Sequence, residues 1–350
     1  MQTDVCFVTE MVFQDPQHFA SVVKGACIEP CQLSHEPTFS ELLRVDFGVM
    51  CLDWVKAGSA MLYRGEMPSD SYTMSFVVEC EEEGHSFNFE TDFVSGYMGF
   101  FPPGAKLDAT NPAGAINALL TVREDVFREA LKVYVPEMDQ LLSGGGFGME
   151  VGRINQEHLR SLLGAMRRAV ESYDKQSVKE IVCRELGRFL LPTYLAALRE
   201  GLHRGGVKSL GRVLTRYKKF CATRDYILDH IREPLFVEDL CKSAHLSERG
   251  VENLFKDMVG TGPVAFLRLQ RLQSVHHALL QSDPEPGKVK QLALEAGFSH
   301  MGHFSTYYQT MFGESAGQTL ARRCEDLDVD GPLQGDEGAA LSASASASVL

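Results

Sequence analysis

Two short stretches of this 350-residue sequence carry side chains arranged to hydrogen-bond something outside the chain. In the first, Arg249, Gly250, Asn253 and Lys256 stand opposite Val251 and Phe255; in the second, Met301, Gly302, His303 and Thr306 stand opposite Phe304 and Tyr308. Residues three and four apart share one side of a helix, so each stretch predicts a helix with an apolar side and an outward side. Asn pairs bidentately with the major-groove edge of adenine, and Arg does the same with guanine. Glycine at 250 and 302 lowers helix stability by about 1 kcal/mol each relative to Ala, yet it removes bulk where a helix would approach a groove floor.

The two stretches are copies of one unit. Leu240, Ala244 and Leu246 recur as Leu292, Ala296 and Phe298, an offset of 52, while Ser247, Val251, Phe255 and Gly260 recur as His300, Phe304, Tyr308 and Gly313, an offset of 53. One residue has been added in the second turn. Each copy predicts a short helix, a tight turn and a second helix, with Ser247 as N-cap of the first copy's second helix. Between the copies, Thr261-Gly262-Pro263 opens a long helix over Val264 to Gln281, whose buried side is Phe266, Leu269, Leu272 and Leu279. A rod of this kind would hold the two outward sides at a fixed separation, and about 34 Å corresponds to one duplex turn.

On these residues the segment from about Tyr226 to Arg323 resembles the DNA-binding domain of the AraC/XylS regulators. The resemblance is carried by Leu246-Ser247-Glu248-Arg249-Gly250-Val251-Glu252-Asn253-Leu254-Phe255-Lys256, by Gly262-Pro263 and Arg271-Leu272, and by Gly297-Phe298-Ser299-His300 through Phe304 to Phe312-Gly313. Glu238-Asp239-Leu240-Cys241 and the run from Gly297 to Phe304 are most similar to the ethanolamine-operon regulators within that family. The resemblance implies that each second helix enters a major groove, with Arg249, Gly250, Asn253, His300, Gly302, His303 and Thr306 facing the bases. It also implies double-stranded DNA as partner, RNA polymerase as a further one, and a homodimer. The family often has Arg where this chain has Asn253 and Thr306, and usually Pro where it has Ala316. Arg249 then becomes the guanine reader and Asn253 an adenine reader.

The remainder of the chain must position these units. From about Ser40 to Leu120 apolar residues alternate, as in Leu43, Val45, Phe47, Val49 and Cys51, with turns at Ala57-Gly58-Ser59, Met67-Pro68-Ser69 and Phe101-Pro102-Pro103-Gly104. This predicts a β-sandwich or cupin-like sensor over 1–142, large enough to enclose a small-molecule effector that the sequence does not identify. After Gly144-Gly145-Gly146 the spacing turns helical: Leu159, Leu162, Leu163, Met166 and Val170, then Val178, Ile181, Val182, Leu186 and Phe189. A helical hairpin over 150–202 follows, packed on the β domain or against a second subunit. Residues 203–219 are a basic linker, 220–323 the all-α tandem helix-turn-helix domain, and 324–350 an acidic and Ser/Ala tail expected to be disordered. The predicted class is multidomain α+β.

Net charge is −13, but about −12 of it lies before Arg199, about +6 falls between Arg199 and Lys219, and the repeat region itself is near −1. Such a domain predicts modest non-specific DNA affinity and reliance on dimerisation. No apolar run reaches the roughly 18 to 20 residues of a membrane span, and nine cysteines without a CxxC pair fit reduced thiols in a cytoplasm. Cys27 and Cys31 could sit four apart on a helix; His35, Glu36 and His85 evoke a cupin metal centre but lack its full ligand set. No metal, cofactor or catalytic residue is expected. His276 and His277 are read as surface residues of the long helix. Arg212, Arg216, Lys218 and Lys219 contact phosphates, or only solvate the linker or pair with the acidic sensor. The expected function is a sequence-specific transcription regulator, a ligand-responsive activator reading two successive major-groove segments per subunit. The alternatives are a cupin-like enzyme with a DNA-binding C-terminal domain and a constitutive DNA-binding protein without effector.

Overall fold

The computed structural model describes residues 5–13, 16, 26–37, 39–81, 84–86, 91–136, 146–204 and 211–321. The expected disordered tail, Gly144 and Gly145 of the glycine run, and part of the basic linker lie outside these residues.

Alternating apolar residues give strands here because period two places every second side chain on one face. Seven strands form an inner antiparallel sheet: β1 (Phe7–Phe13), β3 (Ser40–Asp46), β4 (Met50–Lys56), β6 (Ser71–Glu79), β9 (Tyr97–Phe101), β11 (Ile116–Arg123) and β12 (Phe147–Glu150), in the order β1-β3-β4-β11-β6-β9-β12. An outer sheet runs β2-β5-β10-β7-β8, from β2 (Cys27–Gln32), β5 (Met61–Glu66), β10 (Lys106–Asn111), β7 (Gly84–Ser86) and β8 (Thr91–Phe93). Phe13, Leu42 and Val55 of the inner sheet meet Met61 and Tyr63 of the outer one, so the two sheets pack face to face. Cys27 and Cys31 therefore lie on a strand, not a helix. Pro30 between them removes a helical amide; on the strand the two cysteines share a face, and Cys27 is exposed at its start while Cys31, towards its end, is buried.

The other face of the inner sheet is covered by helices. Val45, Leu52, Met74, Phe76, Ala118 and Leu120 pack against α1 (Glu124–Tyr134), α2 (Arg153–Ser172), α3 (Gln176–Gly187) and α4 (Leu190–His203) through Phe127, Leu159, Leu163, Met166, Cys183 and Tyr194. The buried stripe of the predicted hairpin is thus spent on the sheet. Ile181 and Phe189, assigned to the same stripe, are exposed.

Among the described residues seven helices follow: α5 (Gly211–Asp229), α6 (Val237–Ala244), α7 (Glu248–Val259), α8 (Pro263–Leu280), α9 (Lys288–Glu295), α10 (Met301–Phe312) and α11 (Ala316–Ala321). They build two separate cores. Phe220, Leu240, Val251, Phe255 and Phe266 form the first, joined by Cys31, Leu33 and Leu62 from the outer sheet. Leu269, Leu272, Leu279, Phe304 and Tyr308 form the second. The long helix α8 supplies residues to both. His276, expected on its surface, is buried instead: its ring stacks on Phe312 at 4.0 Å, and its Nδ1 lies 2.7 Å from the Tyr308 hydroxyl. Its neighbour His277 is exposed, as the roughly 100° step between consecutive helix residues requires.

Candidate nucleic-acid interface

In the first copy, α6 ends at His245, which takes the left-handed conformation at φ 50°, and Ser247 then caps α7. The Ser247 hydroxyl accepts a hydrogen bond from the Gly250 amide at 3.3 Å, satisfying a donor that the first helical turn would leave free. Val251, Leu254 and Phe255 face inward. This leaves Arg249, Asn253 and Lys256 exposed and Gly250 half-exposed on the opposite side. Lys256 is paired along the helix with Glu252 at 3.2 Å, whereas Arg249 has no ionic partner among the described residues. Arg216, weighed above as a phosphate contact, is paired with Asp257.

The second copy repeats the arrangement with different chemistry. His300 stands at the N-cap of α10 without a side-chain capping bond, and Phe304, Tyr308 and Met311 are buried. His300, Gly302, His303 and Thr306 are exposed together. Met301 is not among them; it is half-buried and packs on the second core. The Thr306 hydroxyl donates to the Gly302 carbonyl at 3.1 Å, which leaves its lone pairs outward. Behind this face Arg268 of α8 lies 4.3 Å over the Tyr307 ring, and Tyr307 stacks in turn on His303 at 6.2 Å. No Lys or Arg occurs on α10, so any phosphate attraction by this copy comes from elsewhere, such as Lys288 and Lys290 on α9.

Among the described residues neither outward side is covered by the β domain, which docks on α5 and α8 and brings Pro37 close to Gly313 at the end of α10. Gln273 donates to the Gln32 carbonyl at 2.8 Å, and Gln270 contacts the Cys31 thiol. Arg224 pairs with Asp108 at 2.8 Å. Sequence reading missed this seam because its partners are more than a hundred residues apart.

A family model described as a helix-turn-helix domain matches residues 240–322. Residues 240–322 are a helix-turn-helix domain of the AraC/XylS type. Over this AraC/XylS-type domain the chain is 31% identical across 100 residues to the XylDLEGF operon transcriptional activator of Pseudomonas putida, covering 29% of this chain and 31% of that protein. It is 32% identical across 96 residues to the probable thc operon regulatory protein of Rhodococcus erythropolis, covering 27% and 29%. The chain thus spans about a third of the length of the curated relatives it matches. Among solved structures, a probable AraC family transcriptional regulator from Rhodopseudomonas palustris is 34% identical with TM-score 0.28, covering 30% of this chain and 96% of that one. The AraC-like transcriptional activator CuxR is similar over 82% of this chain and 100% of its own, at 11% identity and TM-score 0.36.

Among the described residues no helix is long and apolar enough to cross a membrane, and no group of three or more His, Cys, Asp or Glu is placed to hold a metal ion.

Proposed function

We propose that the chain is a sequence-specific transcription regulator, a ligand-responsive activator working in the cytoplasm as a homodimer, whose subunits each read two successive major-groove segments. The observation that carries this reading is that two helix-turn-helix units on one rigid helix both turn polar, exposed sides away from their cores and away from the β domain. Arg249 and Asn253 are assigned as base readers in the first unit, with Gly250 admitting the groove and Lys256 at its edge. His300, Gly302, His303 and Thr306 take the corresponding roles in the second, and Met301 supports them from beneath. RNA polymerase is the downstream partner an activator requires.

The sandwich, which this reading takes as cupin-like, is assigned the effector. A cleft of about 160 Å³ between the sheets is lined by Asp46, Met50, Cys51, Asp53, Thr121 and Arg123. Such mixed lining suits a small polar molecule better than a plain core does. Exposed Ile181 and Phe189 on the helical layer are assigned to the subunit contact.

Selection of the full chain against randomised duplexes tests the core of the proposal. A recovered motif should bind with an affinity that falls steeply as salt rises. Arg249→Ala or Asn253→Ala should each lose about 1 to 3 kcal/mol of discrimination at one base position. Failure to enrich any sequence, or binding indifferent to salt, would overturn it.

A further inference from the structure

The two units have separate hydrophobic cores, so apolar packing does not by itself fix the angle between them. Among the described helices only α8 belongs to both. Near its middle, Arg271 spreads its guanidinium between them. Its Nε donates to the Ile231 carbonyl at 2.7 Å and its Nη2 to the Glu233 carbonyl at 2.6 Å, both in the segment leading into α6 of the first unit. Its Nη1 donates to the Gly297 carbonyl at 3.3 Å, in the turn of the second unit. Three carbonyls, and no carboxylate among the described residues, hold this cation. Only a planar group with several fixed donors can do so; the single ammonium of Lys cannot span all three.

The repeat supplies an internal control. Gly297 occupies the turn position that His245 occupies in the first unit, an offset of 52, and both have positive φ, 86° and 50°. His245 shows that this turn accepts a side chain. At Gly297 an added Cβ would lie 2.8 Å from Cζ of Arg271, so the missing side chain makes room for the guanidinium rather than for the turn alone.

We propose that Arg271 is a positioning residue that sets the angle between the two reading helices, and thereby the spacing between DNA segments that one subunit accepts. The proposal rests on the DNA-reading function above. Two linked modules gain affinity only when their geometry lets both engage at once. One inserted base pair turns the second segment by about 34° relative to the first.

The test uses the full-length protein, its selected duplex, and versions with one or two base pairs inserted or removed between the segments. Wild type should prefer one spacing by about tenfold or more. Arg271→Ala should bind the preferred duplex about tenfold more weakly and show a flattened spacing profile, while keeping contact with either segment alone. Arg271→Lys should fall between. A purely structural role would weaken every duplex in proportion and leave the profile's shape unchanged. If Arg271→Ala does not fold, Arg271→Lys and Arg271→Gln are read instead. A folded variant that retains the wild-type profile overturns this inference. Failure of wild-type protein to bind any duplex would overturn the DNA-reading function itself.

Discussion

Asp108 on the outer sheet accepts two hydrogen bonds from Nη1 of Arg224 on α5, at 2.8 and 2.9 Å, across the seam between the β domain and the first helix-turn-helix unit. Tyr217 donates to the same carboxylate at 3.0 Å, and Asp225, adjacent to Arg224, reaches Arg64 at 3.4 Å. The Arg224 side chain is only 3% exposed. Burial in low dielectric makes such a pair dependent on both members, because one charge alone is poorly solvated there. Asp108→Ala should therefore destabilise the protein by about 3 kcal/mol, the low end for a broken buried pair because Asp225 still holds Arg224. Adding Arg224→Met should recover much of the loss. Denaturant titration of the single and double variants decides the matter; an Asp108→Ala midpoint equal to wild type would remove the pair from the account of domain docking.

Because the two units have separate cores, Phe255 and Phe304 are expected to fail independently. Both are fully buried, and each sits in its own cluster. Truncation to Ala should cost about 3 to 5 kcal/mol in either case. Hydrogen exchange resolved by segment should show Phe255→Ala deprotecting α6 and α7 while α9 to α11 stay protected, and Phe304→Ala the reverse. Uniform deprotection in both variants would mean that one cooperative unit spans the domain.

This division was legible in the sequence for a physical reason. Val251 and Phe255, like Phe304 and Tyr308, bury one helix side at local spacing, and the repeat doubles the signal. Ser247 as N-cap and Pro263 at the head of α8 were readable in the same way, since caps act within one turn. The seam was not. Asp108 and Arg224 are 116 residues apart, and nothing near either predicts the other. His276 was misplaced because adjacent histidines look alike in sequence, and only the tertiary position of Tyr308 and Phe312 turns one of them inward. Met301 was grouped with the outward residues by spacing alone, although its long apolar side chain folds back onto the second core. The strand identity of Cys27 and Cys31 required weighting Pro30 above a spacing of four.

The buried thiols predict an alkaline limit. Loss of solvation raises Cys31 and Cys6 from 9.0 to about 12, and Cys183 and Cys221 from 9.0 to about 11. A group whose pKa rises on folding contributes its stability in full below the unfolded value and loses it as pH climbs towards the folded one. Thiol ionisation should therefore leave stability untouched below about pH 8 and erode it from about pH 9 upward. At pH 8, among the described cysteines, the exposed Cys27 should be alkylated first, with Cys6, Cys31 and Cys183 labelled only after unfolding. Peptide mapping after brief alkylation checks this, and rapid labelling of Cys31 in folded protein would contradict its burial.

The two N-caps should separate stability from recognition. Ser247 makes a capping bond and His300 makes none. Ser247→Ala is expected to lower stability by about 1 kcal/mol. His300→Ala should leave the melting temperature nearly unchanged and weaken binding to the selected duplex. A destabilised His300→Ala with intact binding would reassign His300 to the fold.

The two glycines of the reading helices are expected to respond differently. At Gly250 an added Cβ would come within 3.2 Å of the Leu246 Cβ and 3.4 Å of the capping Ser247 hydroxyl, a tight approach to which Leu246 would have to yield. At Gly302 the same Cβ would meet nothing within 4 Å, and the residue is exposed. The fold gains nothing from glycine there; Ala is the better helix former by up to about 1 kcal/mol, less in a first turn. Gly302→Ala should therefore raise thermal stability slightly and still weaken DNA binding, since the new methyl group projects from the face assigned to the groove floor. Gly250→Ala should gain less stability than Gly302→Ala, because Leu246 must give way to admit the methyl group. Melting curves and duplex titrations of both variants are sufficient. Unchanged affinity in Gly302→Ala would mean that α10 does not approach the bases closely at this position, and would move the second unit's contacts towards His303 and Thr306.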